Sequence, residues 1–325
     1  MTKYVISGYI GFDNFGDEAI AAVLINHLKS QNAEKITVLS LNPEKTSRLY
    51  GANSVKFLDF LKPILETDVL ISGGGSLLQD ITSLRSLLYY LCVIMTAIVF
   101  NKKVFIFAQG FTPFRTKVGK LLTLFVLKKC QKITVRDSFS QKFLKDNGID
   151  SELVSDPVFG IEIPKIEKHC GIGVQLRSFK NLNDDFLNSL ADNIAHKFKN
   201  QTIKLISLHD IYDMQTIEKF AGMLSSRGCV TEILKDLTVP EAVEELSKLE
   251  YLIGMRFHAC LTAAKSGVKV LGINYDIKVK TLAEMIGFPL INMYGCEVES
   301  GINSLMDTNT SKYNLPEFKF PNIIL

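Results

Sequence analysis

An α/β protein of two doubly wound domains facing a cleft is predicted by three features of the chain. Short β-branched runs alternate with helical patterns from the first residues, the alternation breaks once near Asp156-Pro157 and restarts, and 325 residues suffice for two cores. In the first half the strands are "KYVISG", "KITVLSL", "DVLISGGG", "KVFIFAQG" and "KITVRD", with "DEAIAAVLINHLKS" as the first helix. The stretch "DPVFGIEIPKIEKHC" reads as a linker because prolines and mixed polarity replace the periodic pattern. Beyond it come "GIGVQLR", "TIKLISLH", "CVTEILK", "YLIGM" and "KVLGINY", with helical segments such as "TVPEAVEELSKL" between them. The expected division is a Rossmann-like domain over 1–160, a second over 161–297, and a polar, irregular segment over 298–325 that ends as a tail or crosses back to the first domain.

The bulk numbers exclude several classes. A formal charge of +3 lacks the dense basic stripe of a nucleic-acid binder. Cys92, Cys130, Cys170, Cys229, Cys260 and Cys296 are scattered without metal-ligand spacing, so reduced, mostly buried thiols are expected and no metal site. The start, "MTKYVISGYIG", is too short an apolar run for an export signal, so a cytoplasmic location is expected. The apolar run "LLYYLCVIMTAIVF", residues 87 to 100, falls short of a spanning helix and is expected to be a buried core helix. Its alternative is a membrane-facing patch, kept open by "LLTLFVL" with Lys117, Lys120, Lys128 and Lys129 around it, so that peripheral contact with the inner face of the membrane stays an option.

Ligands of parallel α/β sheets bind outside the carboxyl ends of the strands, so the residues there are the candidates. After the first strand, Asn14, Gly16, Asp17 and Glu18 open a helix; the two carboxylates either serve its N-terminus or contact sugar hydroxyls. This loop has neither the dinucleotide fingerprint nor a P-loop lysine. Gly73, Gly74 and Gly75 before Ser76 suit backbone contacts with an anion, or simply a tight turn, with Gln79 and Asp80 as polar neighbours. Gln109 and Gly110 end another strand. Arg136 is either an anion clamp or a partner of Asp137. In the second half Arg177 is a cleft-edge cation and His209 a polar loop residue. Arg256 and His258 emerge after "YLIGM", and Tyr275, Asp276 and Lys278 after "KVLGIN"; Arg256, His258 and Lys278 then suit a small ligand bearing carboxylate and phosphate, unless His258 belongs to the core and Lys278 to solvent.

The segments "GFDNFGDEAI", "ISGGGSLLQD", "AQGFTPF", "ITVRDSFSQKFLKDNGI" and "IGMRFHACLTAAKSGVKVLGINYDIKV" together resemble the polysaccharide pyruvyl transferase family, and within it the CsaB-like bacterial members, over roughly residues 4 to 290. The resemblance implies a GT-B-like fold and transfer of a pyruvyl group from phosphoenolpyruvate to a sugar as a cyclic ketal, with phosphate released and no cofactor or metal. For CsaB-like members it implies an N-acetylmannosamine acceptor in a cell-wall polymer precursor, often lipid-linked, whose ketal anchors surface-layer proteins. It maps the basic residues onto Arg136, Arg256, His258 and Lys278, with His258 as the acid that protonates the donor methylene. Thr112 and Phe257 depart from the family pattern, and both bear on acceptor specificity. Two other functions share these features: a GT-B glycosyltransferase using a nucleotide sugar, and a non-catalytic protein binding anionic glycan or lipid.

Overall fold

The computed structural model describes residues 2–81, 83–293 and 297–323. Two compact units divide the chain, the first running to Ile161 and resuming at Glu317, the second spanning Glu162–Pro316.

The first unit opens with β1 (Lys3–Ser7), α1 (Phe15–Ser30), β2 (Lys35–Ser40) and α2 (Pro43–Tyr50). β3 (Asn53–Lys56), α3 (Leu61–Glu66), β4 (Val69–Gly73) and α4 (Leu84–Val99) follow. β5 (Lys103–Gln109), α5 (Lys117–Leu127), β6 (Lys132–Val135), α6 (Ser138–Lys145) and the short β7 (Glu152–Leu153) complete it. The seven strands are parallel, in the order β3-β2-β1-β4-β5-β6-β7. Val5, Leu70, Val104 and Ile106 bury their side chains against Leu87, Leu91 and Ile94 of α4, as continuous apolar strands covered on both faces require.

The second unit has β8 (Ile172–Gln175), α7 (Asp184–Lys197), β9 (Ile203–Ile206), α8 (Asp210–Ser225), β10 (Thr231–Leu234) and α9 (Val239–Lys248). After these come β11 (Tyr251–Gly254), α10 (Phe257–Lys265), β12 (Lys269–Asn274), α11 (Ile277–Ile286), β13 (Leu290–Asn292) and α12 (Val298–Asp307). Its six parallel strands run β10-β9-β8-β11-β12-β13. Two parallel, helix-covered Rossmann-like sheets therefore form from this sequence, as its strand and helix alternation predicts.

Three expectations need correction. The segment after Glu297 is not irregular throughout: Val298, Ile302 and Leu305 recur at helical spacing and bury α12 in the second core, where Gly301 lies against Ile291. The start of the linker belongs to the first unit, where Asp156 accepts from the Val158 N–H at 3.0 Å, Pro157–Gly160 forms a 3-10 turn and Val158 and Phe159 are buried. The thiols are not mostly buried: Cys229 and Cys260 are, whereas Cys92 and Cys170 are exposed and Cys130 lies between; Cys296 falls outside the described residues. The apolar run at 87–100 does form a helix with a buried face, and no helix among the described residues is long and apolar enough to cross a membrane.

The returning C-terminal segment is held to the first unit by rings and backbone. Phe320 stacks on His27 at 3.6 Å and on Phe107 at 5.9 Å, and the Lys132 ammonium donates to the Asn322 carbonyl at 2.9 Å.

Candidate active site

In the second sheet the strand order reverses between β8 and β11, so their carboxyl ends flank the crevice where doubly wound sheets bind ligands. Gln175 closes β8, Arg177 follows two residues later, and Arg256 leaves β11 as the residue before α10. A fully buried carboxylate, Asp213 in the first turn of α8, joins them. The Arg256 guanidinium donates to it through Nε at 2.8 Å and Nη2 at 2.5 Å, a two-pronged pair that fixes the plane of the fork. The same carboxylate accepts from the Leu208 and His209 N–H groups at 3.1 and 3.2 Å and from Gln175 Nε2 at 3.2 Å. Gln175 Oε1 in turn accepts from the Arg256 N–H at 2.8 Å. Backbone and side chain of Arg256 are thus both set by the ends of β8 and β9.

Arg177 Nη1 donates to the Tyr275 hydroxyl at 3.4 Å and its guanidinium lies 5.4 Å from the centre of that ring, which also meets Phe179 edge-on. Tyr275 thereby links the end of β8 to the end of β12. Asp276 caps α11 by accepting from the Lys278 N–H at 3.0 Å, which places Lys278 in the first turn of that helix. His258 occupies the first turn of α10 with its ring edge-on to Phe257 at 4.9 Å, and it is partly buried. Arg177, Arg256, His258, Tyr275 and Lys278 therefore stand at the ends of three adjoining strands, β8, β11 and β12, as the sequence pattern suggests.

His209 is more than a polar loop residue. It is buried, and that burial, with the Arg256 and Arg177 charges beside it, pushes its pKa down to about 4 against a pull upward from Asp213. Between pH 6.5 and about 4 the unfolded chain binds a proton that the folded one refuses, so stability is complete above that window and is lost as pH falls through it. Thermal melts should therefore drop between pH 7 and pH 5, and His209→Gln should flatten that drop; a variant with the wild-type slope would contradict this assignment.

The first sheet reverses between β1 and β4. Here the structure gives most of the candidates local work. Asn14 caps α1, accepting from the Gly16 N–H at 3.3 Å, and its amide donates to Asp17 at 2.6 Å. Glu18 is buried, accepts from the Gly11 N–H and the Tyr50 hydroxyl at 2.6 Å each, and has its pKa raised by burial. It pins the loop after β1 to α2. The glycine run is demanded by packing: a Cβ on Gly73 would come within 2.9 Å of the Phe107 Cβ, one on Gly74 within 2.8 Å of Ile20 Cγ2, and one on Gly75 would collide with the Asp17 carboxylate. Gly74 and Gly75 also have φ of 89° and 71°. Gly74→Ala should cost about 2 kcal/mol or more in denaturant unfolding, from strain and overpacking together.

Arg136 pairs with neither Asp137 nor a surface carboxylate. Its Nη1 donates to Asp156 at 2.7 Å, with both side chains nearly inaccessible, and Nη2 reaches Ser76 Oγ at 3.4 Å. Asp137 instead caps α6 through the Ser140 N–H at 2.7 Å. Arg136 thereby ties β6, the glycine loop and the 3-10 turn at Pro157 together. Asp80, the polar neighbour of the glycine run, organises the segment before α5 by accepting from the Arg115 and Thr116 N–H groups at 2.6 and 2.8 Å. At the end of β5 the backbone is irregular: Ala108 has φ of 46°, the register with β6 shifts between Ile106 and Gln109, and Gln109 is fully buried. Gln109 Nε2 donates to the Gly110 carbonyl at 3.0 Å, while its Oε1 and the buried Ser72 hydroxyl have no hydrogen-bond partner among the described residues.

Asp213, Gln175 and Asp156 are the site residues that sequence reasoning passed over. The signal for Gln175 is an amide inside the apolar run "IGVQL"; Asp213 looks like one of several acids in a first helical turn, and Asp156 like the start of a linker.

The profile of the polysaccharide pyruvyl transferase family matches residues 14–277. The chain belongs to that family. All the candidate residues but Lys278 fall within the matched span, and Lys278 adjoins it. A search of curated proteins gave no match. Among solved structures, this polysaccharide pyruvyl transferase family member is similar to UDP-GlcNAc 2-epimerase from Methanocaldococcus jannaschii, at 10% identity and TM-score 0.68, covering 98% of this chain and 96% of that one. It is also similar to a putative UDP-N-acetylglucosamine 2-epimerase from Listeria monocytogenes (12%, TM-score 0.67, 97% and 90% covered). A third is the Anabaena protein Alr3699/HepE in complex with UDP and glucose (9%, TM-score 0.62, 97% and 92% covered). At such identities the likeness concerns the fold, which is GT-B-like.

Proposed function

We propose that the chain transfers a pyruvyl group from phosphoenolpyruvate to a saccharide as a cyclic ketal, releasing phosphate. The observation that carries this reading is the cationic set Arg177, Arg256, His258 and Lys278 on three adjoining strand ends of one sheet, in a member of the pyruvyl transferase family. A donor with both carboxylate and phosphate calls for several separate cations, because a planar guanidinium grips one oxyanion group at a time. In this scheme Arg256, held by Asp213, and Arg177, held against Tyr275, bind the donor, and Lys278 compensates charge on the departing phosphate. His258 gives a proton to the donor methylene, which makes the adjacent carbon electrophilic. One sugar hydroxyl adds there, the bond to phosphate breaks, and a second hydroxyl closes the ketal ring, each hydroxyl losing its proton.

Arg136 enters as a positioning residue of the first unit, given its buried pair with Asp156. The first unit takes the acceptor at the carboxyl ends of its strands. N-acetylmannosamine of a cell-wall polymer precursor is the sugar we assign, following the CsaB-like pattern, and the product's carboxylate then serves surface-layer anchoring.

Because the similar Anabaena structure holds UDP, a nucleotide-sugar transferase is the reading to test against. Phosphoenolpyruvate should raise the melting temperature of the wild type and not of Arg256→Lys, whose ammonium cannot reproduce the fork, and UDP should leave both unchanged. Stabilisation by UDP without any by phosphoenolpyruvate would favour the rival.

A further inference from the structure

We infer that α5 of the first unit is an interfacial helix that seats the protein on an anionic lipid bilayer. This goes beyond the transferase reading and does not depend on it. A surface helix ordinarily turns a polar face to water. α5 does not: inward it buries Thr123, Leu124, Val126 and Leu127, and outward it presents Val118, Leu121, Leu122 and Phe125. These four follow i, i+3, i+4, i+7 spacing, and Val118, Leu121 and Phe125 are 57% to 67% exposed, so the helix carries a second apolar stripe directed at solvent. α4 packs beside it, and its Leu84 and Leu88 are exposed as well.

Charge identifies the occupant. Lys117, Lys120, Lys128 and Lys129 flank the stripe, and the Lys129 ammonium lies 4.9 Å from the centre of the Phe125 ring. The imbalance extends well past the helix. Residues 81–136 hold ten Lys and Arg and not one of the chain's 34 Asp and Glu, although the chain as a whole is only at +3. An apolar stripe rimmed by lysines, with the one acid at the helix start, Asp80, buried and spent on the Arg115 and Thr116 N–H groups, matches acyl chains beneath anionic headgroups, whereas a second copy of the chain would bring the same positive charge onto itself. With no helix among the described residues able to span a bilayer, the helix lies in the interface plane.

The test uses the full chain and sedimentation with phosphatidylcholine vesicles, alone or mixed with phosphatidylglycerol. The mixed vesicles should bind the protein about tenfold or more tightly, with the advantage shrinking in high salt. Replacing Lys117, Lys120, Lys128 and Lys129 together by Gln should remove most of that advantage, and Leu121→Glu with Phe125→Glu should abolish binding. The chain contains no tryptophan, so Phe125→Trp supplies a single reporter that keeps an aromatic ring in place; its emission should shift to the blue on mixed vesicles. Equal binding to both vesicle types, no emission shift, or a lipid-free dimer that Leu121→Glu with Phe125→Glu makes monomeric would each overturn the proposal.

Discussion

Asp213→Ala is expected to destabilise the second unit by about 3 to 5 kcal/mol, the usual cost of stranding one member of a buried ion pair. Asp213 is wholly inaccessible and Arg256 nearly so, and the aspartate also satisfies two backbone N–H groups and the Gln175 amide. Its removal leaves a buried guanidinium charge beside Arg177 without its ion-pair partner, and leaves those donors unmatched. Urea unfolding measures the loss. Asp213→Asn keeps the shape and an oxygen for the backbone donors but gives up the charge, so it should fold with a smaller penalty. In that variant Arg256 is held less firmly, and we expect the KM for phosphoenolpyruvate to rise about a hundredfold, the scale associated with small misplacements of a binding group. A stable Asp213→Ala protein with unchanged donor affinity would show that the pair is incidental.

The second large effect concerns His258. His258→Gln should lower kcat by about 10² to 10⁴, the range general acid catalysis supplies, while circular dichroism and cooperative melting stay as in the wild type. Added imidazole should restore part of that rate, a rescue that a residue serving only packing would not give. Loss of folding in His258→Gln, with no such rescue of the remaining activity, would return His258 to the core.

Much of this was legible in the sequence because local signals and tertiary roles agree there. The strands "KYVIS", "VLISG" and "YLIG" are apolar enough to be central parallel strands and end where turn residues begin, so the doubly wound architecture and the strand-end residues Arg256, His258, Tyr275 and Lys278 could be read directly. The charge partners could not. Asp213 lies 43 residues from Arg256 and Asp156 lies 20 from Arg136, and only the strand order brings each carboxylate to its arginine. Glycine was ambiguous for a related reason: whether Gly73 to Gly75 make room for a ligand or for Phe107, Ile20 and Asp17 depends on what the neighbouring elements place there. α12 was missed because Val298, Ile302 and Leu305 are sparse apolar positions among Glu, Ser, Asn and Asp, a stripe that becomes convincing only when β12 and β13 offer a surface to cover.

Mass spectrometry should follow the reaction of the purified chain with phosphoenolpyruvate and a synthetic lipid-linked disaccharide containing N-acetylmannosamine, with His258→Gln in parallel and phosphate release recorded. Pyruvyl transfer by the second unit's cationic set gives a product heavier by one ketal-linked pyruvyl group, phosphate in equal amount, and neither from the variant. Transfer of a glycosyl group from a nucleotide sugar to the same acceptor, with phosphoenolpyruvate left intact, would contradict it.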